Sequence, residues 1–168
     1  MSFKAEVSEK AVIYEKFSKL VDSQSIISIT SDSWKEIERL WQLLESQMRH
    51  WEWLLDSKLP GLLGEVGDWL GRAENLIYSD DIPQVMNEET AGIISRKLEQ
   101  HKLFFAELPN ITKKFETAKN SMDARNVPRE QLESIEKRLG TIGQRAQQRR
   151  VKLKFLEHKV WASFWSNY

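Results

Sequence analysis

An all-α fold of long amphipathic helices is predicted by three features of the sequence. Leu132, Ile135, Leu139, Ile142, Ala146, Arg149, Leu153, Leu156 and Val160 step by three and four without a break, which is the seam of helices packed side by side. Glycine and proline are scarce, 7 and 4 of 168 residues, while 30% of the chain is charged. That balance suits helices with solvated outer faces. Finally, two stretches of the chain superimpose without a gap, Phe17 falling on Phe115 and Trp34 on Leu132.

The elements follow in order. Residues 4–22 carry Val7, Ala11, Tyr14, Phe17 and Val21 on one helical face. "SQSIISITSDS" then reads as a Ser/Thr loop with some local β propensity. The next helix, 33–58, places Trp34, Ile37, Trp41, Leu44, Met48, Trp51 and Leu55 on one stripe, with Ser33 or Asp32 able to cap its start. Trp53 falls off this stripe, so it is expected to pack at a seam between units or against a partner. Residues 61–78 put Leu62, Val66, Trp69, Leu70, Ala73, Leu76 and Ile77 on one broad face, and "YSDDIPQVMN" ends the pattern with turn residues. Between these two helices, Pro60 with Gly61, Gly64 and Gly67 marks a soft joint, where proline either kinks one continuous helix or begins a new one.

The fourth helix, 88–119, carries Ala91, Ile94, Leu98, His101, Phe105, Leu108, Thr112 and Phe115. Asn87 is its expected N-cap, its side chain accepting from a free first-turn N–H. Pro109 should remove one backbone bond and bend it. The last helix spans 129–160. Pro128 stands where a missing N–H does no harm, and Gly140 and Gly143 weaken its middle by up to about 1 kcal/mol each relative to alanine, so packing must override them.

The internal match aligns "YEKFSKLVDSQ" with "TKKFETAKNSM", Ser23 with Ser121, and the stripe from Trp34 to Leu55 with that from Leu132 to Leu153. The shift is a whole number of heptads, so phase alone aligns the apolar positions; the residue identities and the matching loop add to it. A unit of 98 residues, the shift from Phe17 to Phe115, made of three helices resembles the spectrin repeat. "DWLGRAENLI" is similar to that family's Trp–Leu first helix through Trp69. "KLEQHKLFFAEL" resembles its second helix around His101, and "RLGTIGQRAQQRRVKL" its third, closing on Arg149 and Leu153. Leu139 departs from the family's usual tryptophan, which the earlier copy keeps as Trp41, while Trp51 replaces the arginine there.

The resemblance covers nearly the whole chain. It implies a partial repeat over 1–58, the end of a second helix and a full third helix. A complete repeat over 59–168 would follow, joined by a near-continuous helix and ending in the start of the next linker, "VWASFWSNY". Among giant spectrin-repeat proteins it looks most like a nesprin. That implies a structural linker in the cytoplasm, associated with the cytoskeleton and, through a parent protein, with the outer nuclear membrane, whose partners are cytoskeletal or actin-regulating proteins.

Other classes fare worse. With 25 basic and 25 acidic residues the chain lacks the basic excess of a nucleic-acid binder or of a protein drawn broadly to anionic membranes. Cysteine is absent, which removes disulfides, thiolate metal sites and a cysteine nucleophile. No apolar run approaches a membrane span, and "SFKAEVSEK" lacks a signal-peptide core. A peripheral membrane-binding amphipathic helix is the alternative, but residues 49–70 set Glu52, Asp56, Glu65 and Asp68 against Arg49 and Lys58, the wrong sign for it.

No catalytic set, cofactor or metal is expected. His101 has no second ligand at helical spacing and reads as a part-buried histidine tied to a neighbour. Ser79, Asp80 and Asp81 lack the order of a calcium loop. "GLLGEVGDWLG" has no Lys-Ser/Thr and no strand before it. Remaining acids and bases read as solvated faces.

Partner contacts are expected at Phe17, Trp34, Trp41, Trp51 and Trp53, and at Arg145 and Arg150 in the basic run "RAQQRRVKLK". A partial repeat leaves an aromatic groove open, and burying each large side chain would gain roughly 1.5 to 3 kcal/mol. Residues 5–55 are therefore the expected association surface, through a partner or through self-association.

Overall fold

A computed structural model of the protein describes residues 3–22, 31–78 and 87–165. Within them lie α1 (Phe3–Asp22), α2 (Ser31–Asp56), α3 (Leu62–Tyr78), α4 (Glu88–Phe105), α5 (Leu108–Lys119), a short 3-10 turn (Met122–Asn126) and α6 (Arg129–Trp165). No strand occurs among the described residues, so the all-α class holds. Most of "SQSIISITSDS", the loop 79–86 with its acidic run, and the last three residues lie outside the described residues.

The chain divides into two compact units, Met1–Glu45 and Ser46–Tyr168. The division falls inside α2 rather than after Lys58, because the last turns of α2 are built into the second unit by Trp53 and Asp56.

In the second unit α3, α4–α5 and α6 form a three-helix bundle. The α6 stripe expected from sequence is buried or half-buried at every position from Leu132 to Val160. Along its first half α6 meets α3 and α5, closing a core of Leu63, Val66, Trp69, Ile111, Phe115 and Ile135. Its second half meets α4 around Ala91, Ile94, Leu153 and Val160. At the start of α4, Asn87 accepts from the Thr90 backbone N–H at 2.9 Å, the expected cap.

Pro109 does more than bend a helix. The chain breaks at Ala106–Glu107, and Pro109 sits in the first turn of α5, where its lack of an N–H costs nothing. The break changes the phase of the apolar face. Ile111 and Ala118 are buried beside Phe115, whereas Thr112, expected on the stripe, is exposed and donates its hydroxyl to the Leu108 carbonyl at 2.9 Å.

The joint at Pro60 also differs from expectation. A near-continuous helix is ruled out: α2 stops at Asp56, and Ser57–Gly61 form a turn in which Gly61 adopts φ +57°, a left-handed conformation open to glycine at little cost. Pro60 lies in that turn, ahead of α3. The chain then reverses. A Cβ on Gly67 would strike the Asp56 backbone, and one on Gly71 would run into the Trp53 indole. Arg49 lies over Tyr78, 4.6 Å from the ring centroid. Pairing of 56 with 67, 53 with 71 and 49 with 78 is the signature of an antiparallel helical hairpin. Gly67 and Gly71 are its closest-approach surface.

The first unit is thinner. Tyr14 of α1 stacks on Trp34 and Trp41 of α2, centroids 5.7 and 4.8 Å apart, and Phe17 meets Trp34 at 6.0 Å. Trp34 is the one buried apolar residue described there. Its apolar periphery, including Val12, Ile13, Leu20, Ile37, Leu40 and Leu43, is exposed.

Candidate functional site

Two buried polar clusters organise the second unit. Arg138 of α6 grips Glu74 of α3 through two hydrogen bonds of 2.7 Å and donates to Asp56 of α2 at 2.6 Å. Gln131 donates to the other Asp56 oxygen at 2.8 Å. Burial opposes the Arg138 charge, but the hydrogen bonds and charge of Glu74, the charge of Glu52 and the Asp56 hydrogen bond outweigh it and hold the guanidinium above its ordinary value. These three charges tie three helices to one another. The expectation of solvated acidic faces fails here: Asp56 and Glu74 are buried, because the α2–α3 reversal turns both toward α6. The second cluster is His101 with Arg149, ring Nδ1 and guanidinium 2.8 Å apart and both buried. In the sequence Arg149 interrupts an apolar stripe and His101 lies on another; that pairing of polar residues on facing stripes was the available signal.

Trp69 is the aromatic anchor of the core, stacked on Phe104 at 5.2 Å and edge-on to Phe105 at 6.0 Å. Its buried indole N–H has no hydrogen-bond partner among the described residues.

The residues expected to meet partners are dispersed. Trp34 is buried and Trp41 half-buried on Tyr14, with the Trp41 indole donating to Glu45 at 3.1 Å. Phe17 is 37% exposed. These three belong to one cluster in the first unit, so α1 covers part of the aromatic stripe that was expected to form an open groove. In the second unit the roles of the α2 tryptophans exchange. Trp53, off the stripe, packs on Gly71 and donates to Asp68 at 3.1 Å; Trp51, on the stripe, is 63% exposed, as is Leu55. Arg145 and Arg150 are both exposed on α6, and Arg145 lines a cavity.

Two cavities on the second unit carry basic linings. The first, about 680 Å³, opens beside Trp53 and is lined by Arg49, His50, Arg72, Leu76 and Phe104 among others. The second, about 630 Å³, is lined by Ile77, Tyr78, Arg145, Arg149 and Lys152 with amide side chains. Tyr78 lines the second, and its ring carries Arg145 of that cavity at 5.3 Å and Arg49, which lines the first, at 4.6 Å. Sequence reading missed Arg49 and Tyr78, which belong to different helices and meet only through the hairpin.

Among the described residues, no three His, Asp or Glu side chains converge on a point that could hold a metal ion. No described helix is long and apolar enough to cross a membrane.

No family model matches the chain, and no solved structure matches it. A curated relative does: the chain is 52% identical over 157 residues, 93% of its length, to "Muscle-specific protein 300 kDa" of Drosophila melanogaster. The matched stretch is about 1% of that relative's length.

Proposed function

Because the chain is similar over nearly all of its length to one short segment of a much longer muscle-specific protein, we propose that it serves as a structural segment of a cytoskeletal scaffold. In this reading the second unit is a spectrin-like repeat, the first a partial one, and the parent is a nesprin-like linker able to connect actin-associated proteins to the nuclear envelope. The observation that carries it is the unbroken burial of the α6 stripe from Leu132 to Val160. A long helix held along its whole length by neighbours resists shear and spaces whatever is attached to its ends. Function then resides in mechanical continuity and in side surfaces that dock proteins, with no reaction chemistry.

The test is direct. An antibody raised against the chain should stain the detergent-insoluble cytoskeleton of muscle fibres, with signal at the nuclear rim if the nesprin-like part of the reading is right. A wholly detergent-soluble pool would refute the scaffold; insoluble signal absent from nuclei would refute only the nuclear attachment.

Association through residues 5–55 belongs to the same proposal. It draws support from the exposed Val12, Ile13, Ile37, Leu40 and Leu43 around the Trp34 cluster, more apolar edge than a two-helix unit keeps wet comfortably. Light scattering of the purified chain should give a concentration-dependent mass above the monomer. A monomer at all concentrations removes self-association and leaves heterologous docking.

A further inference from the structure

We infer that the two clefts, linked by the contact of Arg49 in the first with Tyr78 in the second, form a docking site for an acidic, amphipathic segment of a partner protein. The inference rests on the scaffold reading for its context and on the charge pattern of the clefts for its content.

The whole chain carries equal numbers of acids and bases, yet the clefts do not. Their described linings include Arg49, Arg72, Arg145, Arg149 and Lys152, with His50, and not one aspartate or glutamate. Two of these cations are already engaged: Arg72 pairs with Asp68 at 2.9 Å, and Arg149 lies against His101. Arg49 and Arg145 instead lie over the two-sided π-surface of Tyr78, which positions a guanidinium without neutralising it. A carboxylate brought to this point meets guanidinium groups that the ring already orients, with a geometry suited to bidentate pairing.

The walls specify the rest of the ligand. Trp53, Leu76 and Phe104 line the first cleft. Beside Lys152, the exposed Val151 and Phe155 line an adjoining apolar patch on α6. The complementary surface therefore carries carboxylates flanked by large apolar side chains, the pattern of an amphipathic helix laid in a groove. A nucleic acid offers no apolar side chains for these walls, and a lipid surface is planar where the site is concave.

Fluorescence anisotropy of the full chain tests this with a labelled amphipathic peptide bearing a glutamate face and a leucine face, and with its glutamine isostere. The glutamate peptide should bind, and its affinity should fall as salt is raised from about 50 to about 200 mM. The isostere should bind about tenfold more weakly or worse. Arg49→Glu and Arg145→Glu should each weaken the glutamate peptide about tenfold, whereas Arg129→Glu, at the start of α6 and outside both clefts, should leave it unchanged. The milder Arg145→Gln, checked for native helix content by circular dichroism, should lie between. Equal binding of both peptides, equal loss in Arg129→Glu, or no peptide binding overturns the site, as does capture by phosphatidylserine vesicles that the peptide fails to displace. None of these failures touches the muscle staining, so the scaffold reading would stand or fall separately.

Discussion

Gly71 and Gly140 are both helical glycines, yet alanine should act on them in opposite directions. A Cβ at Gly140 meets nothing within 4 Å, so Gly140→Ala should raise stability by up to about 1 kcal/mol through helix propensity alone. At Gly71 the same Cβ enters the Trp53 indole; Gly71→Ala should cost about 1–3 kcal/mol by forcing α2 from α3. Urea titration of the two variants reads the contrast, and a stabilised Gly71→Ala would refute the hairpin contact. Arg138 is the second residue-scale test. Replacing it with methionine leaves Asp56 and Glu74 buried without their cation, at about 3–5 kcal/mol, whereas Arg129→Met, which breaks the exposed pair with Glu133, should cost no more than about 1 kcal/mol. Equal losses in the two arginine variants would mean that the buried cluster carries no special weight. Trp69→Ala should cost about 3–5 kcal/mol. Trp69→Phe should cost less, because it also removes an indole N–H that has no partner among the described residues.

At the scale of the element, local chemistry and packing divide the work. The start of α4 is a local event. Asn87→Ala removes the acceptor for the Thr90 N–H and should cost about 1 kcal/mol, read by denaturation with the native fold retained. The boundary of α5 is a different case. Pro109 was visible as a bend, but the break ahead of it and the new phase that follows, Leu108, Ile111, Phe115 and Ala118 in place of Thr112, depend on where α3 lies. The end of α2 is a still stronger example. Periodicity extends the apolar stripe through Trp51 and Leu55, and an isolated helix would present those residues together. The turn at Ser57–Gly61 instead rotates Trp53 and Asp56 inward and leaves Trp51 and Leu55 in water.

For the molecule as a whole, stability should be unequal. The second unit holds two apolar clusters and two buried polar ones, whereas Trp34 is the single buried apolar residue described in the first. Limited trypsin digestion should therefore remove residues of the first unit early and leave a resistant product whose N-terminus follows Arg39 or Arg49 within α2. Release of the two units at the same rate would show that they open together, contrary to their separate cores.

The all-α class, the approximate limits of the helices other than the split of 88–119 into α4 and α5, the Asn87 cap and the buried face of α6 were all determined by the sequence alone. Each is a local or periodic property, and a heptad stripe buries the same residues whatever helix covers it. The burial of Asp56 and Glu74 was decided only by the tertiary structure, as were the reversal at Pro60, the exchange of Trp51 for Trp53 and the meeting of Arg49, Tyr78 and Arg145. These depend on how close two helices come. At Gly67 and Gly71 that distance is set by the absence of a side chain, and a hydrophobic pattern does not encode it.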